Sequence, residues 1–502
     1  MGETSEMGEI RFWPLTDVGR VRGHNEDAFL VDRKLQLYIV ADGMGGHAAG
    51  EVASQLAVRT IREVVARERE SLLEFERGGA VKRTDVLRLL ELAVQEACAA
   101  IHEEARKDES KRGMGTTVDV LLIVGRRGFV AHVGDSRVYL YRNGSIHQIT
   151  RDHSLIEELR RRGRLTEEQI QRIQYKNAVT RAVGVYESVE VDVFDFDVLP
   201  GDRFLLCTDG LTGYLGDGEL QQLFEQVPDE QLPQHLVDLA NERGGKDNIT
   251  VLLVAAPSEA EEGAQRLARD VHLKFDVLHK MPLFRHLSYE ELMRVLNLME
   301  VRSYGSGEPI VREGEEGEEL FVVLEGRVRV HSGPRLYTHL GQGQHFGEMA
   351  LVDHAVRSAS VTAEEDARLL VLTRREFFRI VRDDHQVAVK MLWAFLGELA
   401  RRLRDTSREL GVARDRLERE ALASEVIGSG EDELPPVPPV PPAAPARPSG
   451  ELPPPPPTVV DPSPPVVDEA MPTDRGRSVD VPPSDSLAIE VELEEDDGDG
   501  VA

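Results

Sequence analysis

Five aspartates at the ends of short apolar runs constrain this chain more than any other feature. Asp42 ends the run LYIVA, Asp135 follows FVAHVG, Asp209 follows FLLCT, Asp247 precedes NITVLLV, and Asp27 comes just before AFLV. Buried strands that each end in an acid can bring those acids together at one edge of a core. Unpaired, such a cluster repels itself strongly in a low-dielectric site. Divalent cations relieve that repulsion, and ligation by oxygen alone favours magnesium or manganese over zinc. Taken singly, Asp42-Gly43, Gly134-Asp135 and Asp209-Gly210 read as ordinary turns. Their repetition at the ends of apolar strands argues against coincidence. Arg22, just before Asn25-Glu26-Asp27, suits a phosphate clamp beside such a cluster, since its planar fork pairs with two oxygens. Alone, it would read as a surface ion pair.

A length of 502 residues allows two or three domains. The net charge of −30 disfavours a general nucleic-acid binder, which needs clustered Lys and Arg. About half of that charge lies in the last 72 residues, which hold 17 acids against 3 arginines. Cys98 and Cys207 cannot form a disulfide framework, and neither sits in a zinc-knuckle pattern. No charged-then-apolar leader opens the chain and no apolar run is long enough for a membrane span, so a soluble cytoplasmic protein is expected.

Residues 9–256 alternate strand-like runs with helical stretches. The runs are Leu35–Ala41, Val118–Val124, Phe129–Val133, Val138–Tyr141, Phe204–Cys207 and Ile249–Val254. Helical spacing covers Ala48–Ile101, interrupted at Gly78-Gly79. Residues 257–282 read as a connecting helix. A second domain, 283–400, shows short strands separated by glycine turns, at Pro309–Val311, Leu320–Leu324, Val328–Val330 and Leu369–Leu372. Over 386–427, Leu392, Leu396, Leu399, Leu403, Thr406, Leu410, Ala413 and Leu417 follow a 4-3 spacing. Both a helix docked on its own domain and a homodimeric coiled coil fit it. From 428 to 502 the chain holds 19 of its 27 prolines and almost no aromatics, the composition of a disordered acidic tail. Its proline runs favour polyproline II.

Six stretches of the first domain, RGHNED (22–27), VADGMGGHAAGEVAS (40–54), GMGTT (113–117), VGDSR (133–137), LLCTDGLTG (205–213) and GKDNITV (245–251), closely resemble the bacterial branch of the metal-dependent (PPM, type 2C) Ser/Thr protein phosphatases. The resemblance covers about residues 9–256. It implies an α+β fold, a four-layer α/β/β/α sandwich with a binuclear Mn²⁺ or Mg²⁺ site at one end. By position, Asp42 would bridge both metals and the Gly43 carbonyl would ligate one. Asp209 and Asp247 would hold the other, Asp27 would act through water, and Asp135 with Asp209 would hold a weaker third. Arg22, Asp42 and Asp209 form the implied catalytic set, Arg22 binding the phosphate of phosphorylated Ser/Thr proteins while a water activated by the metals attacks phosphorus. Met44 stands where animal members carry a candidate general acid. His47 is nearby, and the general acid stays unassigned. Thr150–Lys176 corresponds to the family's variable flap, with a basic cluster at Arg160–Arg164 that suits either acidic phosphopeptides or plain solvation.

In FGEMALVDHAVRSASV (346–361), a glycine-bounded turn leads into a short helix with Glu348 at its start and Arg357 nine residues on. An anion is favoured at a helix N-terminus. An acid in such a site suits a sugar hydroxyl, so the pair suits a ribose phosphate. The stretch resembles the phosphate cassette of cyclic-nucleotide-binding domains, a β-roll with a long C-terminal helix. By that resemblance Gly347, Glu348, Arg357 and Ser358 would bind cAMP or cGMP, Glu348 on the ribose and Arg357 with Ser358 on the phosphate. The function expected is a phosphoserine/phosphothreonine phosphatase regulated by a cyclic nucleotide. The alternatives are a constitutive phosphatase whose second domain only scaffolds or dimerises, and a non-catalytic phosphoprotein binder.

Overall fold

The structure, a computed structural model, describes residues 9–45, 49–161, 178–258, 262–353, 356–428 and 489–490. His47, the Arg162–Arg164 part of the basic cluster and nearly all of the expected tail lie outside these. The chain divides into two compact units, one running to Leu273 and one beginning at Lys274.

Among the described residues up to 258, the strands of the first unit are β1 (Arg11–Asp17), β2 (Asp27–Asp32), β3 (Leu37–Met44), β4 (Gly115–Thr116), β5 (Val118–Val124), β6 (Arg127–Val133), β7 (Arg137–Arg142), β8 (Ser145–Gln148), β9 (Asp192–Asp197), β10 (Arg203–Cys207) and β11 (Ile249–Ala255). One sheet runs β1-β11-β10-β7-β8 and the other β2-β3-β5-β6-β9, with β4 added to β3. These pairings are antiparallel, while Ile489–Glu490 runs parallel beside β2.

Side chains alternate between the two faces of each strand, and both faces are covered. On β3, Leu37, Ile39 and Ala41 pack outward against Ala57 and Ile61 of α1 (Ala49–Arg67) and Leu90 and Val94 of α2 (Arg83–Lys107). On the other sheet, Leu205, Cys207, Val251 and Leu253 meet Phe224 and Leu236 of the helices Asp217–Gln226 and Leu232–Glu242. The alternate residues face inward. Phe12 meets Tyr38 across the gap with ring centroids 6.0 Å apart, and Phe196 meets Phe204 at 5.5 Å. Burial on both faces explains why β5 and β11 are apolar but for one buried polar residue each, Asp119 and Thr250. The result is the expected four-layer sandwich.

The second unit holds two four-stranded sheets, ordered β12-β19-β14-β17 and β13-β18-β15-β16. Its strands are β12 (Glu300–Tyr304), β13 (Pro309–Val311), β14 (Glu319–Glu325), β15 (Val328–Ser332), β16 (Arg335–Leu340), β17 (His345–Phe346), β18 (Ser360–Ala363) and β19 (Ala367–Thr373). Phe321, Val328, Val361 and Leu369 lie in their shared core. The long helix His385–Gly428 docks through Val387, Ala388, Met391, Ala394 and Phe395, which are buried. The 4-3 leucines lie elsewhere: Leu396, Leu403, Leu410 and Leu417 are exposed. Docking on its own domain therefore accounts for the first three turns of this helix and not for its leucine row. Among the described residues no helix is long and apolar enough to cross a membrane.

Candidate active site

Strand order gathers the aspartates. In the β2–β3 register Asp27 lies opposite Asp42. Strands β10 and β11 are antiparallel neighbours, Cys207 facing Val251, so Asp209 just after β10 and Asp247 just before β11 fall at the same end. Cys207 also faces Arg137 on β7, which brings the preceding Asp135 to that end.

Burial and mutual repulsion dominate the electrostatics there. Asp27 is buried. Its Oδ2 accepts from Thr208 Oγ1 at 3.0 Å and from Thr250 Oγ1 at 2.7 Å, while its buried Oδ1 has no hydrogen-bond partner among the described residues. Burial pushes its carboxyl up to about 7, the two hydroxyls opposing and Asp209 and Asp247 adding to the rise. Asp135 also rises to about 7, through burial and then Asp209 and Asp152. Asp42 is pushed well above the carboxylate range by burial and by Asp27, Asp209, Asp135 and Asp247. Asp209 is raised by burial and Asp247, against a hydrogen bond from Asp42. Four acids thus resist ionising together, although among the described residues no three His, Cys, Asp or Glu side chains are already gathered tightly enough to hold a metal ion.

The supports of these acids are main-chain and threonine contacts. Asp42 N–H donates to Thr117 Oγ1 at 3.0 Å, and its carbonyl accepts from Thr116 Oγ1 at 2.8 Å. Gly43 has no room for a side chain: a Cβ would stand 2.2 Å from the Gly50 carbonyl oxygen. Gly210 is equally tight, its Cβ position lying 1.9 Å from the Asn248 carbonyl oxygen. The Asn248 side chain ties the 22–27 segment to β11. Its Oδ1 accepts from Glu26 N–H at 2.8 Å, and its Nδ2 donates to the His24 and Val18 carbonyls at 3.0 Å. Thr208, Thr250, Thr117 and Asn248 were not singled out from sequence. Their signal was there, as polar residues flanking the acids inside otherwise apolar runs.

Arg22 reaches the cluster, donating from Nη2 to Asp247 Oδ2 at 2.7 Å with Glu26 3.9 Å from Nη1. The Asp247 hydrogen bond raises its already high pKa. It remains nearly half exposed, open to an incoming anion. Met44 is partly buried beside the cluster.

In the second unit Glu348 is buried and opens a four-residue 3₁₀ turn, Glu348–Leu351, shorter than the helix expected. Gly347 precedes it with φ +80, and a Cβ there would meet Arg357 Nη1 at 2.5 Å. Arg357 donates from Nη1 and Nη2 to the Glu319 carbonyl, each at 3.1 Å, and lies 5.7 Å from the Phe321 ring. Ser358 is exposed.

This fold and acid cluster define a phosphatase class, and comparison with known proteins agrees. The sequence matches the family described as Protein phosphatase 2C over residues 20–245, and Cyclic nucleotide-binding domain over residues 301–384. It is 39% identical over 243 residues to the serine/threonine phosphatase stp of Listeria innocua, covering 48% of this chain and 93% of that protein. It is 37% identical over 253 residues to protein phosphatase PhpP of Streptococcus pneumoniae, covering 49% and 98%. Among solved structures, the Mycobacterium tuberculosis phosphatase PstP/Ppp is 34% identical, with a TM-score of 0.44, covering 49% of this chain and 99% of that one. The PstP catalytic domain has also been solved in complex with two manganese ions, at 33% identity, a TM-score of 0.43 and coverage of 49% and 98%. The chain belongs to the protein phosphatase 2C family. It is a protein-serine/threonine phosphatase joined to a cyclic-nucleotide-binding domain.

Proposed function

We propose that this phosphatase works with two Mn²⁺ or Mg²⁺ ions at the aspartate cluster and that a cyclic nucleotide bound by the second unit regulates it. The observation that carries the metal reading is the unpartnered, buried Asp27 Oδ1 beside acids held well above the carboxylate range. An oxygen with no donor in a buried anionic cluster fits a hard cation or its water. Asp42, the Gly43 carbonyl, Asp209 and Asp247 would hold the two ions, Asp27 would act through water, and Asp135 with Asp209 would take a weaker third. Bound there, the cations would supply Lewis acidity toward a phosphoryl oxygen and toward water.

The chain's own groups do the rest. Arg22 lies within reach of both the cluster and solvent, and its fork can exchange the Asp247 contact for two oxygens of a phosphoserine or phosphothreonine. Asp27, fixed by Thr208 and Thr250, offers its free oxygen at a constant position. Preorganised charge of this kind costs no reorganisation during the reaction.

For the second unit, Gly347, Glu348, Arg357 and Ser358 are the proposed ligands of cAMP or cGMP. Among the described residues the Arg357 guanidinium hydrogen-bonds to the Glu319 carbonyl and lies against Phe321, so a cyclic phosphate would give it a directly bonded anionic partner. The exposed leucine row favours a second role for this unit, a homodimeric coiled coil through 386–427. Manganese-dependent hydrolysis of a phosphothreonine peptide, with and without each nucleotide, tests the whole proposal. Turnover that ignores manganese overturns the metal reading, and turnover that ignores both nucleotides overturns the regulation.

A further inference from the structure

One histidine joins the turn that carries Asp135 to an arm, residues 151–155, that pairs with residues 178–180. Two hydrogen bonds of opposite sense link His153 to Gly134. The His153 N–H donates to the Gly134 carbonyl at 2.7 Å, and the Gly134 N–H donates to His153 Nδ1 at 3.1 Å. An amide can only donate, so Nδ1 accepts and the ring proton sits on Nε2. Nε2 faces Asp192 Oδ2 at 3.3 Å, and Asp192 Oδ1 accepts from Arg181 Nη1 at 2.9 Å. Arg181 Nη1 lies 3.1 Å from Nε2, and Asp192 takes the protons of both. Burial pushes the ring down to about 4, in keeping with the neutral form.

The neighbouring histidine is held in the opposite state. His132 Nδ1 meets Asp119 Oδ1 at 2.7 Å and Nε2 meets the Arg151 carbonyl at 2.8 Å, two acceptors for two donors. Burial opposes its charge, but Asp119, Asp192 and the Arg151 carbonyl together outweigh burial and push it up to about 9. The two rings lie 4.7 Å apart. His132 therefore holds the Arg151 end of the arm and His153 reads the Gly134 end.

The arm itself is zipped to the returning chain. Thr180 N–H donates to the His153 carbonyl at 2.7 Å, Leu155 N–H donates to the Ala178 carbonyl at 2.9 Å, and Ser154 pairs with Val179. Gly134 cannot brace its own turn. Its φ is +118, and a Cβ would stand 2.5 Å from the Thr117 side chain. Its buried amide depends on the imidazole.

We propose that His153 is a positioning residue for Asp135, holding the Gly134-Asp135 turn to residues 151–155 and their pairing with 178–180, and so setting the occupancy of the weaker cation position. This rests on the reading of Asp135 given above. The inference separates two variants of the same side chain. Asn places its Oδ1 where Nδ1 stands and can accept the Gly134 N–H, whereas Gln places its oxygen near Nε2 and cannot.

The test titrates MnCl₂ calorimetrically into the chelator-treated full chain and follows thermal unfolding in parallel. The full chain should show a weak binding step that Asp135→Asn abolishes. His153→Gln should weaken that step by about fivefold or more, the worth of one buried hydrogen bond, and leave the tighter steps unchanged. His153→Asn should bind within about twofold of the unaltered chain. If Asp135→Asn changes the isotherm and His153→Gln does not, the positioning role is overturned while the Asp135 reading stands. If both His153 variants lose the weak step equally, the ring acts by packing alone and the proposal fails. If Asp135→Asn leaves the isotherm intact, the Asp135 reading falls and takes this inference with it.

Discussion

Asp27 and Asp42 face each other directly across β2 and β3, and the two carboxyls differ in what surrounds them. Asp27 is sealed by two threonine hydroxyls on one oxygen and left bare on the other. Asp42 is held through its main chain, by Thr116 and Thr117. A fixed acid beside a second acid is stable only when protons are retained or positive charge is supplied from outside.

That arrangement makes stability depend on pH in a definite direction. Asp27 and Asp135 rise from 3.8 to about 7 on folding. Between those values the cation-free folded state binds more protons than the unfolded chain, so stability falls as pH rises. With chelator, the midpoint of the first unit's unfolding should drop by about 5 °C or more from pH 5 to pH 7.5. Saturating manganese should flatten the slope. A chelated protein that grows more stable across this window contradicts the charge cluster.

Asp209→Asn removes one charge shared between the proposed cation positions. Hydrolysis of p-nitrophenyl phosphate and of phosphopeptide should fall on the order of 10³-fold or more. The fold should survive, because Asp209 begins a helical turn after β10 and lies outside the core. Retention of more than about a tenth of the activity at saturating manganese would remove Asp209 from the catalytic set.

Arg22→Ala should lower kcat/KM by about 2–4 kcal/mol in transition-state stabilisation, through loss of the phosphate clamp. Metal affinity should change little, since Arg22 contacts one proposed ligand from its exposed side. Calorimetry showing lost manganese binding would assign the residue to holding Asp247 instead.

In the second unit, Arg357→Ala should weaken cAMP or cGMP binding by about 2–3 kcal/mol, and Glu348→Ala should weaken it as well. Titration of the full chain to millimolar nucleotide decides this. No binding signal would leave the unit as a scaffold.

The leucine row predicts an oligomer. If the helix His385–Gly428 pairs with a second copy, Leu403→Lys with Leu410→Lys should shift sedimentation from dimer to monomer and leave peptide hydrolysis within about twofold. An unaltered chain that sediments as a monomer at micromolar concentration would exclude pairing.

Much of this molecule was legible in its sequence, for a physical reason. Strands buried on both faces are largely apolar, so β5 and β11 stand out despite Asp119 and Thr250, and an acid that ends such a run has few structural reasons to be there. Helix periodicity marked α1 and α2, with the break at Gly78, whose φ is +71. The edge strands β1, β8 and β9 were not legible, because a strand with one neighbour is only partly buried and carries polar residues, as DVFDFD does. Hydrogen-bond partners were hidden as well. Asp27 and Thr250 are separated by 223 residues, and only the packing of β2 against β11 makes them neighbours.

The sequence by itself determined the element types, the acids at strand ends and the family, because these rest on local patterning and motif order. Tertiary structure decided which oxygen of Asp27 is bare and which is sealed, that Arg22 engages Asp247, that Arg357 is turned to a main-chain carbonyl, and that His153 accepts from the Gly134 amide while His132 faces two acceptors. Those properties arise from burial and from partners brought together by folding, and a carboxyl or an imidazole carries no mark of them in the sequence.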